Sequence, residues 1–235
     1  MVFLYKSSLL FGMYQNKGFL YSNDYIPIMN RVIKLLMFSD IFVSTGFGLI
    51  EPILAIFIKE NLIGGTIFAA GLASALFLIT KSLVQLPFSR YVDSHNNKTK
   101  WLIFGTFLIA VVPVVYIFAN HIYYIYLAQI LLGLGSGLAY PVWLGLWSTH
   151  LDKKQESFEW SVYSTVTGLG TAATAAIGAA IAEFVGFTFT FLLVGILSLI
   201  GCLILFNLEK RKEKLQLPKL YDYHEQRKMT SQKYR

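Results

Sequence analysis

Apolar residues dominate six stretches of the chain, near 33–58, 66–91, 101–119, 122–149, 158–185 and 187–208, and short polar clusters separate them. Each stretch holds about 20 mostly apolar residues, the length a helix needs to cross a bilayer. The pattern predicts an all-α membrane protein with six transmembrane helices. The fifth stretch is the least apolar, because Gly, Ala, Ser and Thr fill much of it. The separators contain Glu60-Asn61, Asp93 to Lys100, Asn120-His121, His150 to Glu156, and Gly186. A six-helix domain over 33–208 then leaves an N-terminal segment, 1–32, and a basic tail, 209–235. Residues 1–28 are aromatic without a helical period, and either lie at the interface or precede a translation start at Met29. No signal-peptide pattern opens the chain, since Ser7 to Met13 is too short and broken for one.

The basic residues orient the spans. Positive charge accumulates on the cytoplasmic side of membrane proteins. Lys6, Lys17, Arg31 and Lys34 precede or open the first span, and Arg90, Lys98 and Lys100 lie between the second and third. Lys153 and Lys154 lie between the fourth and fifth, and nine more follow the sixth. That puts eighteen of the twenty Lys and Arg on one side, with Lys59 at the opposite interface and Lys81 inside a span. An even number of spans and this asymmetry both place the two termini in the cytoplasm.

Composition agrees with this picture. Hydrophobic residues make up 55% of the chain and charged residues 14%, against about 25% charged in soluble domains. The net charge of +7 is spread over loops and tail, so no basic face for nucleic acid forms. One cysteine, Cys202, excludes a disulfide framework. His95, His121 and His150 have no metal-ligand spacing, and no HExxH or GxSxG motif falls on a span. Neither a metal, a cofactor nor membrane-enzyme chemistry is expected. Tyr140, Trp143 and Trp147 fall near the cytoplasmic part of the fourth span, where aromatics either stack on a substrate or, more often, pack or sit at the interface.

Asp40, Glu51 and Lys81 fall within predicted spans. A charge at the bilayer centre costs about 2.5–3.5 kcal/mol on insertion scales, so such residues face a cavity or a partner. On one continuous helix, Asp40 and Glu51 would lie about 20° apart on one face, at ~100° per residue. Asp40 would sit roughly 9 Å to the cytoplasmic side of the helix centre and Glu51 roughly 7 Å to the other. Lys81 would lie roughly 5 Å inward of the centre of its own helix, nearer the depth of Asp40. Asp40 and Lys81 are therefore expected to interact, leaving Glu51 to face the cavity as a cation or proton site.

Short motifs in a fixed order give the chain a resemblance. The first span reads Gly46-Phe-Gly48-Leu-Ile-Glu51-Pro52, glycines followed by a helix-bending proline. The loop after the second span reads Ser89-Arg90-Tyr91-Val92-Asp93-Ser94-His95-Asn96-Asn97-Lys98. The fourth span reads Gln129-Ile-Leu-Leu-Gly133-Leu-Gly135-Ser-Gly137, and the fifth Gly170-Thr-Ala-Ala-Thr174-Ala175-Ala-Ile-Gly178-Ala179. Over residues 33–208 this order resembles the N-terminal six-helix half of a major facilitator superfamily transporter.

The resemblance implies a half bundle that moves a small solute by alternating access. It also implies that Asp93, with Arg90 and Lys98 beside it, locks a cytoplasmic gate. Ser89 and Asn96 stand where the family has glycines, and Asn tolerates the left-handed turn that a tight loop requires. Gln129 stands where many proton-coupled members have arginine, so no charge there shifts a neighbouring carboxylate. Gly133 with Gly137, and Gly170 with Thr174 and Gly178, offer small-residue faces for close helix packing.

The family's binding site lies between two halves near the midplane. The implied partners are lipid, a small solute, a proton or cation, and either a second copy or a separate six-helix half. The alternatives are a non-transporting scaffold or assembly subunit, or a truncated transporter fragment; the expected location is the plasma (inner) membrane. The topology predicts that single cysteines replacing Asp93 and Arg235, in a Cys202→Ala background, react with an impermeant thiol reagent from the same face. Labelling from opposite faces overturns it.

Overall fold

The Asn30 side chain accepts the Val32 N–H at 3.0 Å and so caps the first helix, α1 (Arg31–Gly48). Such a cap satisfies an amide that has no partner inside the helix. The computed structural model describes residues 29–209. The N-terminal stretch 1–28 and the tail beyond residue 209 lie outside the described residues. Beyond α1 come α2 (Leu54–Asn61), α3 (Ile67–Asp93), α4 (Lys98–Ile117), α5 (Ile122–His150), α6 (Glu156–Phe184) and α7 (Phe187–Glu209). Thr66 caps α3 by accepting the Ala69 N–H at 3.0 Å. Helices α3 to α7 are each long and apolar enough to cross a membrane, and they match predicted stretches two to six within three residues at each end.

The first stretch departs from the expectation of one helix over 33–58. Residues 49–53 form turns between α1 and α2. Pro52 has no N–H to give to the Gly48 carbonyl, which ends the regular ladder. The Ile53 N–H bonds Ile50 O at 3.0 Å, skipping back three residues rather than four. The helical-wheel relation between Asp40 and Glu51 therefore does not apply.

At one end of the bundle, the α2–α3 and α4–α5 loops join. Ile63 N–H donates to Asn120 O and Ile122 N–H to Ile63 O, both at 3.1 Å. At the opposite end, the Asn30 amide reaches His150 O at 3.4 Å, tying the start of α1 to the end of α5. Both joints pair polar backbone that hydrocarbon would leave unsatisfied.

Helix α5 sits between α3 and α4. A Cβ added at Gly133 would lie 2.7 Å from Thr80 Cβ, and one at Gly137 2.9 Å from Val84 Cβ, both on α3. Thus the predicted small-residue face of α5 holds α3. The predicted face of α6 meets α1 instead. Gly170 lies against Thr45, Thr174 against Gly48, and Gly178 against the backbone of Leu49 at the helix break. In α7, the Gly201 carbonyl accepts the buried Ser39 hydroxyl of α1 at 2.8 Å. Helix α6 is joined to its neighbours through left-handed residues, Lys154 (φ 71°) before it and Gly186 (φ 114°) after it.

No side chain fits at Gly178 without displacing Leu49. Gly178→Val should cost about 1–3 kcal/mol through overpacking, read as a lower unfolding temperature in mild detergent. Gly168→Ala on the same helix is the control, because open space surrounds that position; equal effects would place the contact elsewhere.

Candidate functional site: a polar cavity inside the bundle

A cavity of about 730 Å³ opens among α1, α3 and α5, with parts of α2, α4, α6 and α7. Its walls include Asp40, Glu51, Lys81 and Gln129, the four residues singled out from the sequence as solute or coupling-ion candidates. Most of the remaining wall is apolar or aromatic.

Asp40 projects from α1. Its Oδ2 accepts the Tyr163 hydroxyl of α6 at 2.7 Å and the Ser44 hydroxyl at 3.1 Å. Hydrogen bonds to a charged group are the stronger kind, about 1.5–3 kcal/mol each. Gln129 is buried, and its Nε2 donates to the Tyr116 hydroxyl at 3.1 Å. Glu51 lies in the turns that divide the first span, on the cavity wall and exposed.

The expected Asp40–Lys81 pair does not form. Lys81 Nζ sits 4.6 Å from the centroid of the Tyr140 ring and 5.9 Å from that of Phe77. Among the described residues the one salt bridge is Asp93–Lys98. The physical reason is depth. Lys81 falls at the middle of α3, whose observed span extends to Asp93, and at 1.5 Å per residue this is roughly midway in depth between Asp40 and Glu51. Asp40 has meanwhile turned to two hydroxyls. Cation–π contacts contribute about 0.5–2 kcal/mol, less than the roughly 2.5–3.5 kcal/mol cost of a cation at the bilayer centre. Lys81 is therefore held but not neutralised.

The predicted gate loop is the tight link between α3 and α4. Asp93 Oδ1 accepts Lys98 Nζ at 3.0 Å, with the Asp93 side chain 74% exposed. A surface pair of this kind contributes about 0–1 kcal/mol, so the carboxylate stays accessible. Arg90 lies in the last turn of α3. The Ser89 hydroxyl turns back to Leu86 O at 2.8 Å. Asn96 does not adopt the left-handed turn expected of it; Lys154 is the described non-glycine residue with positive φ. The chain turns through Ser94 at the α3 C-terminus, whose hydroxyl bonds Tyr91 O at 2.8 Å, so no left-handed residue is needed.

Two features were not read from the sequence. One is the α6 side of an aromatic box, whose α5 members Trp143 and Trp147 the sequence marks. Trp143 stacks on Trp147 at 4.9 Å, and Tyr163 lies 5.1 Å and 5.0 Å from the two rings, with Trp160 5.3 Å from Trp147. The Trp143 indole N–H also donates to Leu36 O at 3.4 Å. Spacings of four residues on α5 and three on α6 put each pair on one helix face, and that was the available signal. The other feature is Glu159, 1% exposed, whose Oε2 accepts the Asp152 N–H at 3.2 Å while Oε1 has no partner. Nothing in its local sequence marks it as buried.

Long apolar helices around a cavity with two carboxylates and an ammonium on its wall define a multi-pass membrane protein. The chain belongs to the Major Facilitator Superfamily, whose family model matches residues 36–222. The fold is similar to that of the POT family transporter PepTSo, with a TM-score of 0.69 and 16% identity over 79% of this chain and 38% of that one. It is also similar to an auto-inhibited POT family peptide transporter, with a TM-score of 0.65 and 16% identity over 77% of this chain and 38% of that one. The chain thus spans 38% of the length of either structure. No curated protein matches significantly.

Tyr163→Phe removes the 2.7 Å donor from Asp40 and should destabilise the protein by about 1.5–3 kcal/mol. Asp40→Asn in the same background should recover part of that loss, because no carboxylate is then left short of a donor. Thermal unfolding in detergent of the two single variants and the double variant measures the coupling; additive losses would mean that the bond contributes nothing.

Proposed function

We propose that this chain is a half-size unit of a secondary-active transporter that moves a small solute by alternating access. The observation that carries this reading is the convergence of Asp40, Glu51, Lys81 and Gln129 on one cavity inside a bundle of membrane-length helices. Burying charge in hydrocarbon is unfavourable, and charged residues inside spans mark solute or ion pathways. Glu51 is the site for a coupling proton or cation, because it combines a carboxylate, a broken helix and an open wall. In this reading α1, its turns and α2 together make the first of six spans, both termini are cytoplasmic, and the protein resides in the plasma (inner) membrane.

The site needs a second wall. Helices α3 and α6 keep most of their surface outside the bundle, which leaves faces for a second copy or a separate six-helix half. Asp93, accessible at the cytoplasmic end, would then reach across to that half as a gate. The likeness to peptide transporters at 16% identity carries the fold and not the cargo. A second reading, a scaffold that no longer transports, is favoured by Ser89, Asn96 and Gln129 standing where the family's glycines and arginine are expected.

Uptake of labelled amino acids, carboxylates and sugars into proteoliposomes, with and without an inward proton gradient, separates the two readings. Gradient-stimulated uptake is expected, and Glu51→Gln should reduce it about tenfold or more while inserting normally. Normal flux in that variant removes Glu51 from the site. The mass in mild detergent tells self-completion from a separate half: a stable dimer supports the former.

A further inference from the structure

We propose that Lys81 anchors the anionic end of the cargo, and that the cavity takes a small monocarboxylate with an apolar or aromatic body. This deepens the transporter reading above and rests on it.

The ammonium of Lys81 reaches into the cavity with no carboxylate of the described chain within 4.0 Å. Its seat is the faces of Tyr140, at 4.6 Å, and Phe77, at 5.9 Å. Ring faces attract a cation through their quadrupole without accepting ordinary hydrogen bonds, so the three ammonium donors remain available. Both wall carboxylates are engaged or placed elsewhere. Asp40 takes the hydroxyls of Tyr163 and Ser44, and Glu51 lies in the helix break. Lys81 thus presents a positioned, unneutralised charge to whatever enters. A carboxylate satisfies it with short charge-assisted hydrogen bonds.

The rest of the wall specifies the body of that ligand. Phe47, Phe77, Leu78, Tyr140 and Trp143 supply apolar and aromatic surface. A volume of about 730 Å³ is in the usual range for small-molecule sites. An inorganic anion would satisfy Lys81 but leave this surface unfilled. An organic cation would meet Lys81 as a like charge.

Trp143 lines the cavity and stacks on Trp147, so intrinsic fluorescence reads occupancy without any translocation. The experiment uses the full chain in lipid nanodiscs at neutral pH. Its probes share one body: 4-phenylbutyrate, 4-phenylbutanol and 4-phenylbutylamine. The anion should give a saturable change, with the alcohol and the amine about tenfold weaker or worse. Lys81→Gln should weaken the anion about tenfold and leave the alcohol unchanged, while Lys81→Arg retains anion binding.

Equal anion affinity in wild type and Lys81→Gln overturns the proposal, as does preference for the amine or no saturable response to any probe. Binding of 4-phenylbutyrate through Lys81 in a chain that shows no counterflow supports this inference and removes the transport reading. Transport that is indifferent to Lys81→Gln does the reverse.

Discussion

Inside hydrocarbon every backbone N–H and C=O needs a partner, and a span that stops being a helix must find substitutes. Residues 49–53 are where this chain meets that demand. Pro52 withdraws one donor, and short-range bonds among residues 46–54 replace the regular ladder. Leu49 and Ile50 are buried while Glu51 turns to the cavity. The turns survive because protein covers one side of them, where Gly178 of α6 allows its helix to lie directly against Leu49. The break in α1, the cavity beside it and the small residues of α6 are thus one arrangement.

The cavity charges are handled in three different ways, and the differences follow from local chemistry. Asp40 is an acceptor and is met by hydroxyl donors from its own helix and from α6. Lys81 is a donor on a long flexible stem and rests on aromatic faces. Glu51 has exposure in place of partners. A buried carboxylate pays heavily for missing donors, whereas a lysine can bury its methylene stem and leave only its head to be accommodated. The outcome is a cavity with ionisable groups at three depths and no internal ion pair among them.

Much of the bundle could be read directly from the sequence, because length and apolarity alone define a membrane helix. The predicted stretch 122–149 and the helix Ile122–His150 differ by one residue. The small-residue patterns at Gly133/Gly137 and Gly170/Gly178 were also legible, although their partners, α3 and α1, were not. What failed depended on rotation or depth between helices. Asp40 and Lys81 look like partners when each helix is measured from its own predicted centre, and boundary errors of one or two residues move that centre by about 2 Å. The glycines and Pro52 announced a bend, but not that residues 49–53 would leave the helix altogether. Tyr163, the actual partner of Asp40, is 123 residues away in sequence and falls on the stretch with the weakest apolar signal. Glu159 was missed for a similar reason: a glutamate in the first turn of a helix ordinarily faces water.

Helix α6 runs unbroken from Glu156 to Phe184 between two residues of positive φ, Lys154 and Gly186. Glycines and threonines, rather than large side chains, form its contact surface with α1 at Gly170, Thr174 and Gly178. One bond crosses that surface at the cavity, from the Tyr163 hydroxyl to Asp40. Under the transporter reading proposed above, a change in the tilt of α6 would load that one bond, and Asp40 would be where movement of the scaffold reaches the electrostatics of the cavity.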